Sequence, residues 1–409
     1  MTDTVITTAP SAVGPLAAAG PFALEGPLAL YVHWPFCVSK CPYCDFNSHV
    51  RERIDQRAFR DAYARALTAW AERLPRRRLV SIFFGGGTPS LMAPDTAAAV
   101  IAEAKRLWRA DGDLEVTLEA NPNSAEAARF AAFADAGVNR ISIGVQALDD
   151  DALRLLGRAH GAGEAIAAVE AAQRAVPRVS LDLIYARPDQ SVGAWTAELA
   201  RAIALGTTHL SAYQLTIEKG TPFFAMAVRG TLVVPDEDTQ AGLYEATQET
   251  LERAGLPAYE ISNHARPGAE CRHNLVYWRY GDYVGVGPGA HGRLSCRDGG
   301  AGLATAAHRK PEAWIAATLG DDPLALAETT PLARDERIRE MMMMGLRLAS
   351  GIGRVDFDRI AGQSIEAAFE RRTLDRLIEG GFLTLDDERM RATAEGRARL
   401  NAVLAALLS

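Results

Sequence analysis

Three thiols stand within eight residues in Cys37-Val-Ser-Lys-Cys41-Pro-Tyr-Cys44. Thiolates are the soft ligands that iron–sulfur clusters and zinc prefer. The loop follows an apolar, β-like run from Leu28 to Trp34, so it leaves a fixed strand end and can turn three sulfurs toward one point. Three thiolates fill three corners of a [4Fe–4S] cube and leave the fourth iron open to a small molecule. Structural zinc takes four protein ligands, and here the fourth would have to be His33, His49 or a distant cysteine. Cys41-Pro-Tyr-Cys44 alone has the form of a dithiol redox motif, which leaves Cys37 without a task. Inert buried cysteines are the plainest alternative, but three of the chain's five cysteines in one loop argue against it.

A loop of this kind needs a scaffold. Strand-like runs Leu28–Trp34, Leu79–Phe84, Leu114–Glu119, Arg140–Val145, Val179–Tyr185 and Leu210–Ile217 alternate with helical stretches such as Arg57–Arg73, Ala97–Trp108, Gly163–Ala175 and Ser191–Leu205. Strand then helix, repeated six times, predicts parallel strands joined by right-handed crossovers. A doubly wound sheet has the same periodicity. Polar residues at the strand ends favour an open (β/α)6 barrel, whose chemistry gathers where strands give way to loops. Those residues are the turn Gly85-Gly86-Gly87-Thr88-Pro89, then Glu119, Gln146 and Asp182 at or in successive strands, with Arg158 in the helical segment after the fourth. The glycine turn lacks the Gly-Lys-Ser/Thr ending of a phosphate loop. Each polar residue alone could be ordinary; together they aim at one face.

With 409 residues the chain accommodates a large domain and a smaller one. A net charge of −7 offers no global attraction to nucleic acid or anionic lipid. The odd cysteine count argues for a reducing, cytoplasmic setting. Residues 1–27 are rich in Ala, Pro, Gly and Thr with no basic residue, which predicts a disordered tail and no targeting leader.

Tyr31, the C-x3-C-x2-C loop, Gly-Gly-Gly-Thr-Pro, Glu119, Gln146, Arg158 and Asp182 occur in the order seen in the oxygen-independent coproporphyrinogen III oxidase family of radical S-adenosylmethionine (SAM) proteins, which this chain resembles from about Leu28 onward. The resemblance implies an α/β fold: a partial (β/α)6 radical SAM barrel over 28–262 and a winged-helix-like α+β domain over 331–409, joined by a region 263–330. It implies a [4Fe–4S] cluster on Cys37, Cys41 and Cys44, and SAM held at the open iron by Tyr31, Gly86, Glu119 and His291. Tyr43, Gly87, Thr88, Gln146, Arg158, Asp182 and Gln214 match positions that hold a second SAM in the oxidases.

Two departures stand out. Where the oxidases have a further cysteine, this chain has Phe46. It also carries His273-Asn-Leu-Val-Tyr277-Trp278, an H-N-x-x-Y-W motif that resembles the mark of the heme-chaperone branch, in which the His is associated with heme. Imidazole is a good axial ligand and the two aromatics offer faces to a porphyrin. Tyr283–Gly292, with its alternating glycines, reads as a strand whose backbone approaches a ligand. Met341–Met344 reads as core filler before a heme contact, and the acidic residues of the C-terminal domain balance its arginines, which disfavours DNA binding.

Two functions follow. One is a radical SAM heme chaperone that delivers heme to acceptor proteins and is served by an electron donor; respiratory acceptors would bring a transient membrane contact, and a homodimer is allowed. The other is coproporphyrinogen III dehydrogenase, in which a SAM-derived radical starts decarboxylation of the propionates. Phe46 and H-N-x-x-Y-W point to the chaperone.

Overall fold

The structure, a computed structural model, describes residues 22–297 and 299–409. Residues 1–21 of the expected tail lie outside the described residues. Residues 22–27 are docked: Phe22 bridges Cys296, and the Ala23 amide donates to the Ser295 carbonyl at 2.9 Å.

One eleven-stranded sheet organises the chain. Its strands are β1 (Pro27–Trp34), β2 (Arg78–Gly86), β3 (Arg109–Ala120), β4 (Arg140–Gln146), β5 (Arg178–Tyr185), β6 (His209–Gln214), β7 (Asn263–Ala265), β8 (Tyr283–Val286), β9 (His291–Ser295), β10 (Gly302–Ala307) and β11 (Leu326–Leu332). Across the sheet they run β11-β10-β9-β8-β1-β2-β3-β4-β5-β6-β7. β1 to β6 are parallel neighbours in sequence order, the crescent of a six-unit open barrel. β8 adds to the other side of β1 in parallel, with Ala29 opposite Tyr283, and β9 to β11 continue antiparallel. The connecting region 263–330 thus extends the barrel's own sheet.

The curvature follows from side-chain alternation. Leu28, Leu30, Val32 and Trp34 on β1, Val116 and Leu118 on β3, and Ile141, Ile143 and Val145 on β4 share one buried core with the helices outside. The helix Gln56–Arg73 is typical of these. The Asp55 carboxylate caps it by accepting from the Ala58 amide, and Phe59, Ala62, Tyr63, Ala66 and Trp70 form its buried stripe. Each large apolar side chain so buried contributes roughly 1.5–3 kcal/mol. The opposite residues on these strands are polar: Ser81, Glu115, Thr117, Arg140, Ser142, Ser180, Asp182 and Ser211 face inward.

The C-terminal domain has helices Arg334–Gly345, Arg354–Ala361 and Arg371–Glu379, a strand Ile352–Gly353, and a hairpin Leu383–Leu385/Arg389–Ala392. It has its own core, which includes Met341, Met342, Phe357, Leu374 and Met390. Among the described residues no helix is long and apolar enough to cross a membrane.

Candidate functional site

A cavity of about 680 Å³ opens at the C-terminal ends of the crescent. Cys37, Cys41, Tyr43, Cys44, Gly86, Gly87, Thr88, Glu119, Gln146, Arg158, Asp182 and Gln214, predicted from separate segments, all line it. The three thiols are free. Thr88 Oγ1 lies 3.5 Å from Cys37 Sγ, and Arg158 Nη1 lies 3.4 Å from Cys41 Sγ. The other Arg158 nitrogen donates to the Gly144 carbonyl at 3.0 Å and to Asn121 Oδ1 at 2.7 Å, which fastens the cysteine loop to β4. Burial pushes the Cys37 and Cys44 thiols above their ordinary range.

Two carboxylates face this space with few partners. Glu119 receives only the Gly86 amide, at 3.2 Å. Burial, reinforced by the nearby Asp182, pushes it up to about 8. Asp182 is pushed up to about 6 by burial, against the hydroxyl of Ser142 at 3.1 and 3.2 Å. Buried acids so raised ionise readily beside an incoming cation. At the end of β4, Gln146 has φ 67°, a left-handed conformation that costs a non-glycine residue roughly 1–2 kcal/mol. Such strain collects at functional sites.

The glycine turn has a different use from the expected one. A Cβ on Gly86, at φ +116°, would lie 2.6 Å from the His33 ring, and one on Gly87 would lie 2.6 Å from the Phe36 carbonyl oxygen. Close approach here is to the strand that launches the cysteine loop, so the glycines set the loop's position. The same holds for Tyr283–Gly292, which is a strand, a turn and a second strand. A Cβ on Gly287 would strike the His33 carbonyl oxygen at 2.3 Å, and Asn47 Nδ2 donates to the Pro288 and Arg309 carbonyls at 2.9 Å. The ligand approached is the protein itself.

Three expected site residues lie away from the cavity wall. Tyr31 gives its hydroxyl to the contact with His33 Nδ1 at 3.0 Å and stacks near Phe83. His291 is exposed on β9. His273 corrects the expectation of a heme ligand most clearly. It lies in the short helix Arg272–Trp278 and is 1% exposed, with Nδ1 2.9 Å from Ser81 Oγ, Nε2 2.7 Å from the Tyr277 hydroxyl, and its ring stacked on Phe83. Both ring nitrogens are engaged, and burial pushes the imidazole down to about 3. In this conformation it offers no free nitrogen to an iron.

That helix plugs the other end of the barrel. Fully buried Glu115 receives the Arg272 and His273 amides at 2.8 and 3.3 Å, and Arg178 and Arg140 stand 3.4 and 3.7 Å away. A carboxylate there satisfies the helix's first amides. Of the flanking cysteines, Cys271 is buried against Glu115 and Cys296 is buried beside Phe22.

Residues not expected at the cavity include Asn121, which donates to Thr88 Oγ1 at 3.0 Å while accepting from Arg158, and Ser142, Tyr213 and Arg347. Asn121 was within reach of sequence reasoning, two residues beyond Glu119 and before a proline. Arg347, from the C-terminal domain, carried no local signal. Phe46 lines the cavity and is 60% exposed. Met343 and Met344 line a separate cavity of about 240 Å³ beside Tyr277, Tyr280 and Tyr283, so only half of the methionine run is core.

The fit to a metal cluster rests on the donor set. Three free soft ligands share one cavity, although among the described residues no group of three His, Cys, Asp or Glu side chains is gathered at metal-holding distance.

Comparison with known proteins agrees with this architecture. Residues 31–197 match the Radical SAM superfamily, and residues 332–399 match the HemN C-terminal domain. The chain is 41% identical over 391 residues to "Radical S-adenosyl methionine domain-containing protein 1, mitochondrial" of Bos taurus, covering 93% of this chain and 87% of that one. It is 37% identical over 388 residues to "Heme chaperone HemW" of Escherichia coli, covering 93% and 98%. The solved structure of coproporphyrinogen III oxidase (HemN) from Escherichia coli, a radical SAM enzyme, superposes with a TM-score of 0.77 at 21% identity over 95% of this chain and 92% of that one, a likeness of fold. On these matches the chain belongs to the radical SAM superfamily, within the HemW-type branch of the oxygen-independent coproporphyrinogen III oxidase-like family.

Proposed function

We propose that the chain is a radical SAM heme chaperone: it holds a [4Fe–4S] cluster on Cys37, Cys41 and Cys44, binds SAM beside it, and passes heme to acceptor proteins. The observation that carries this reading is the cavity in which three free thiols share walls with Glu119, Gln146, Arg158 and Asp182. When bound, the cluster and SAM together supply one-electron reduction of a sulfonium. The chain's own residues bind and orient. Arg158 stabilises the Cys41 thiolate and ties it to β4. Thr88 does the same for Cys37 more weakly. Glu119, in its ionised form, accepts from an ammonium group, and Gln146 and Gln214 offer amides to ribose or base. Loading draws the loop inward, since its thiols are not gathered beforehand, and it releases protons from Cys37 and Cys44.

Relatives named heme chaperones that align end to end, and Phe46 where the oxidases have cysteine, favour the chaperone over coproporphyrinogen III dehydrogenase. His273 is assigned a supporting part in this reading, holding Tyr277 and the plug helix to β2. The test is anaerobic reconstitution followed by iron and sulfide counting, SAM binding, hemin titration and assay with coproporphyrinogen III. About four irons per chain, hemin uptake and no turnover are expected. Efficient conversion of coproporphyrinogen would restore the enzyme, and absence of hemin uptake would remove the chaperone.

A further inference from the structure

Arg347 comes from the far domain and reaches the barrel. It follows the helix Arg334–Gly345, and the Ala349 amide two residues on donates to the Tyr259 carbonyl at 3.0 Å. Its guanidinium carbon lies 4.8 Å from the centre of the Trp278 ring, and the side chain lines the 680 Å³ cavity with Ser262 and Tyr213.

The guanidinium has unspent capacity. Nε is buried without a hydrogen-bond partner among the described residues, and its nearest anion, Glu260 Oε2, stands at 3.8 Å, beyond hydrogen-bond reach. The other Glu260 oxygen is taken by the Ser262 amide at 3.0 Å and by Asn263 Nδ2 at 2.5 Å. The other cations of the cavity are committed: Arg158 to Cys41, Asn121 and Gly144, and Lys40 to the Phe46 carbonyl at 3.3 Å. An arginine laid on an indole face is already oriented, and its planar fork matches a carboxylate with two parallel hydrogen bonds.

We infer that Arg347, seated on Trp278, binds a propionate carboxylate of the tetrapyrrole cargo at the wall of the cluster cavity. This rests on the heme reading above and deepens it. It gives the last residue of His-Asn-x-x-Tyr-Trp a task that His273 does not have: Trp278 is the shelf for the cation that meets the cargo.

The experiment compares hemin with hemin dimethyl ester, in which both carboxylates are masked, on the cluster-loaded wild type, Arg347→Ala, Arg347→Lys and Glu260→Gln. Arg347→Ala is expected to weaken hemin binding about tenfold and leave ester binding unchanged. Arg347→Lys, which keeps the charge and loses the fork, falls between. Glu260→Gln, which removes the competing anion, tightens hemin several-fold, and it reports independently if the alanine variant folds poorly. Iron content and thermal midpoint accompany each titration. Equal loss for hemin and its ester would make Arg347 a structural strut and overturn the proposal, as would unchanged hemin affinity in both Arg347 variants. A wild type that binds neither probe overturns the heme reading itself, which separates the two failures.

Discussion

Glu115 and Glu119 sit four residues apart on the same inward face of β3, yet one is spent and the other is not. Glu115, at the floor, receives two backbone amides and faces two arginines. Glu119, at the mouth, has one amide and an acid neighbour. The barrel is polar throughout its interior, so polarity alone does not mark a site. What marks it is capacity left over: the floor closes its hydrogen bonds on itself, and the mouth keeps donors and acceptors for something that arrives.

That contrast is open to measurement as stability. Glu115→Ala is expected to have the largest effect, roughly 3–5 kcal/mol, because it strands Arg140 and Arg178 in the interior; denaturant unfolding reads it, and a loss under 1 kcal/mol would break the contrast. His273→Ala should follow at about 2–4 kcal/mol, through two lost hydrogen bonds and a cavity beside Phe83, with Tyr277 released. A variant as stable as the wild type but deficient in heme would return His273 to the binding site.

Glu119→Gln should act through pH. The folded protein holds a proton on Glu119 up to about pH 8 that the unfolded chain gives up near 4.5, so this residue favours folding below pH 4.5 and its contribution is lost as pH rises through 8. Thermal melts of the metal-free wild type should therefore fall between pH 5 and 9, and those of the glutamine variant should fall less. Asp182, raised to about 6, leaves a residual slope of the same sign. SAM affinity should rise with pH toward 8 in the wild type, since a cation selects the ionised carboxylate, and should be low and flat in the variant. Cys41→Ala should change stability least, within about 1 kcal/mol as a half-exposed loop residue, while abolishing cluster loading; retained iron would refute the ligand assignment.

The strands and their order of residues were legible because outward apolar positions repeat with period two against helical stripes. Leu28, Leu30, Val32 and Trp34 are enough to place β1. The mouth was legible too, since Glu119, Gln146 and Asp182 fall at or near strand ends. Depth was not. Nothing in Leu-Glu-Val-Thr-Leu-Glu distinguishes Glu115 from Glu119 until the plug helix arrives from 157 residues away. The heme-ligand expectation for His273 failed for the same reason, because a histidine beside two aromatics reads alike whether it faces a ligand or Ser81. Arg347 was invisible because only domain packing brings it to Trp278.

The pairing of β1 with β8 sets a timetable for the molecule's making. The base of the cysteine loop is pinned by Asn47 to Pro288, 241 residues later, and β1 stays a bare edge on that side until β8 has left the ribosome. The loop that receives iron is therefore among the first segments synthesised and among the last to be anchored. A nascent or truncated chain presents its three cysteines without the support that fixes them, so cluster insertion is a step for the finished protein.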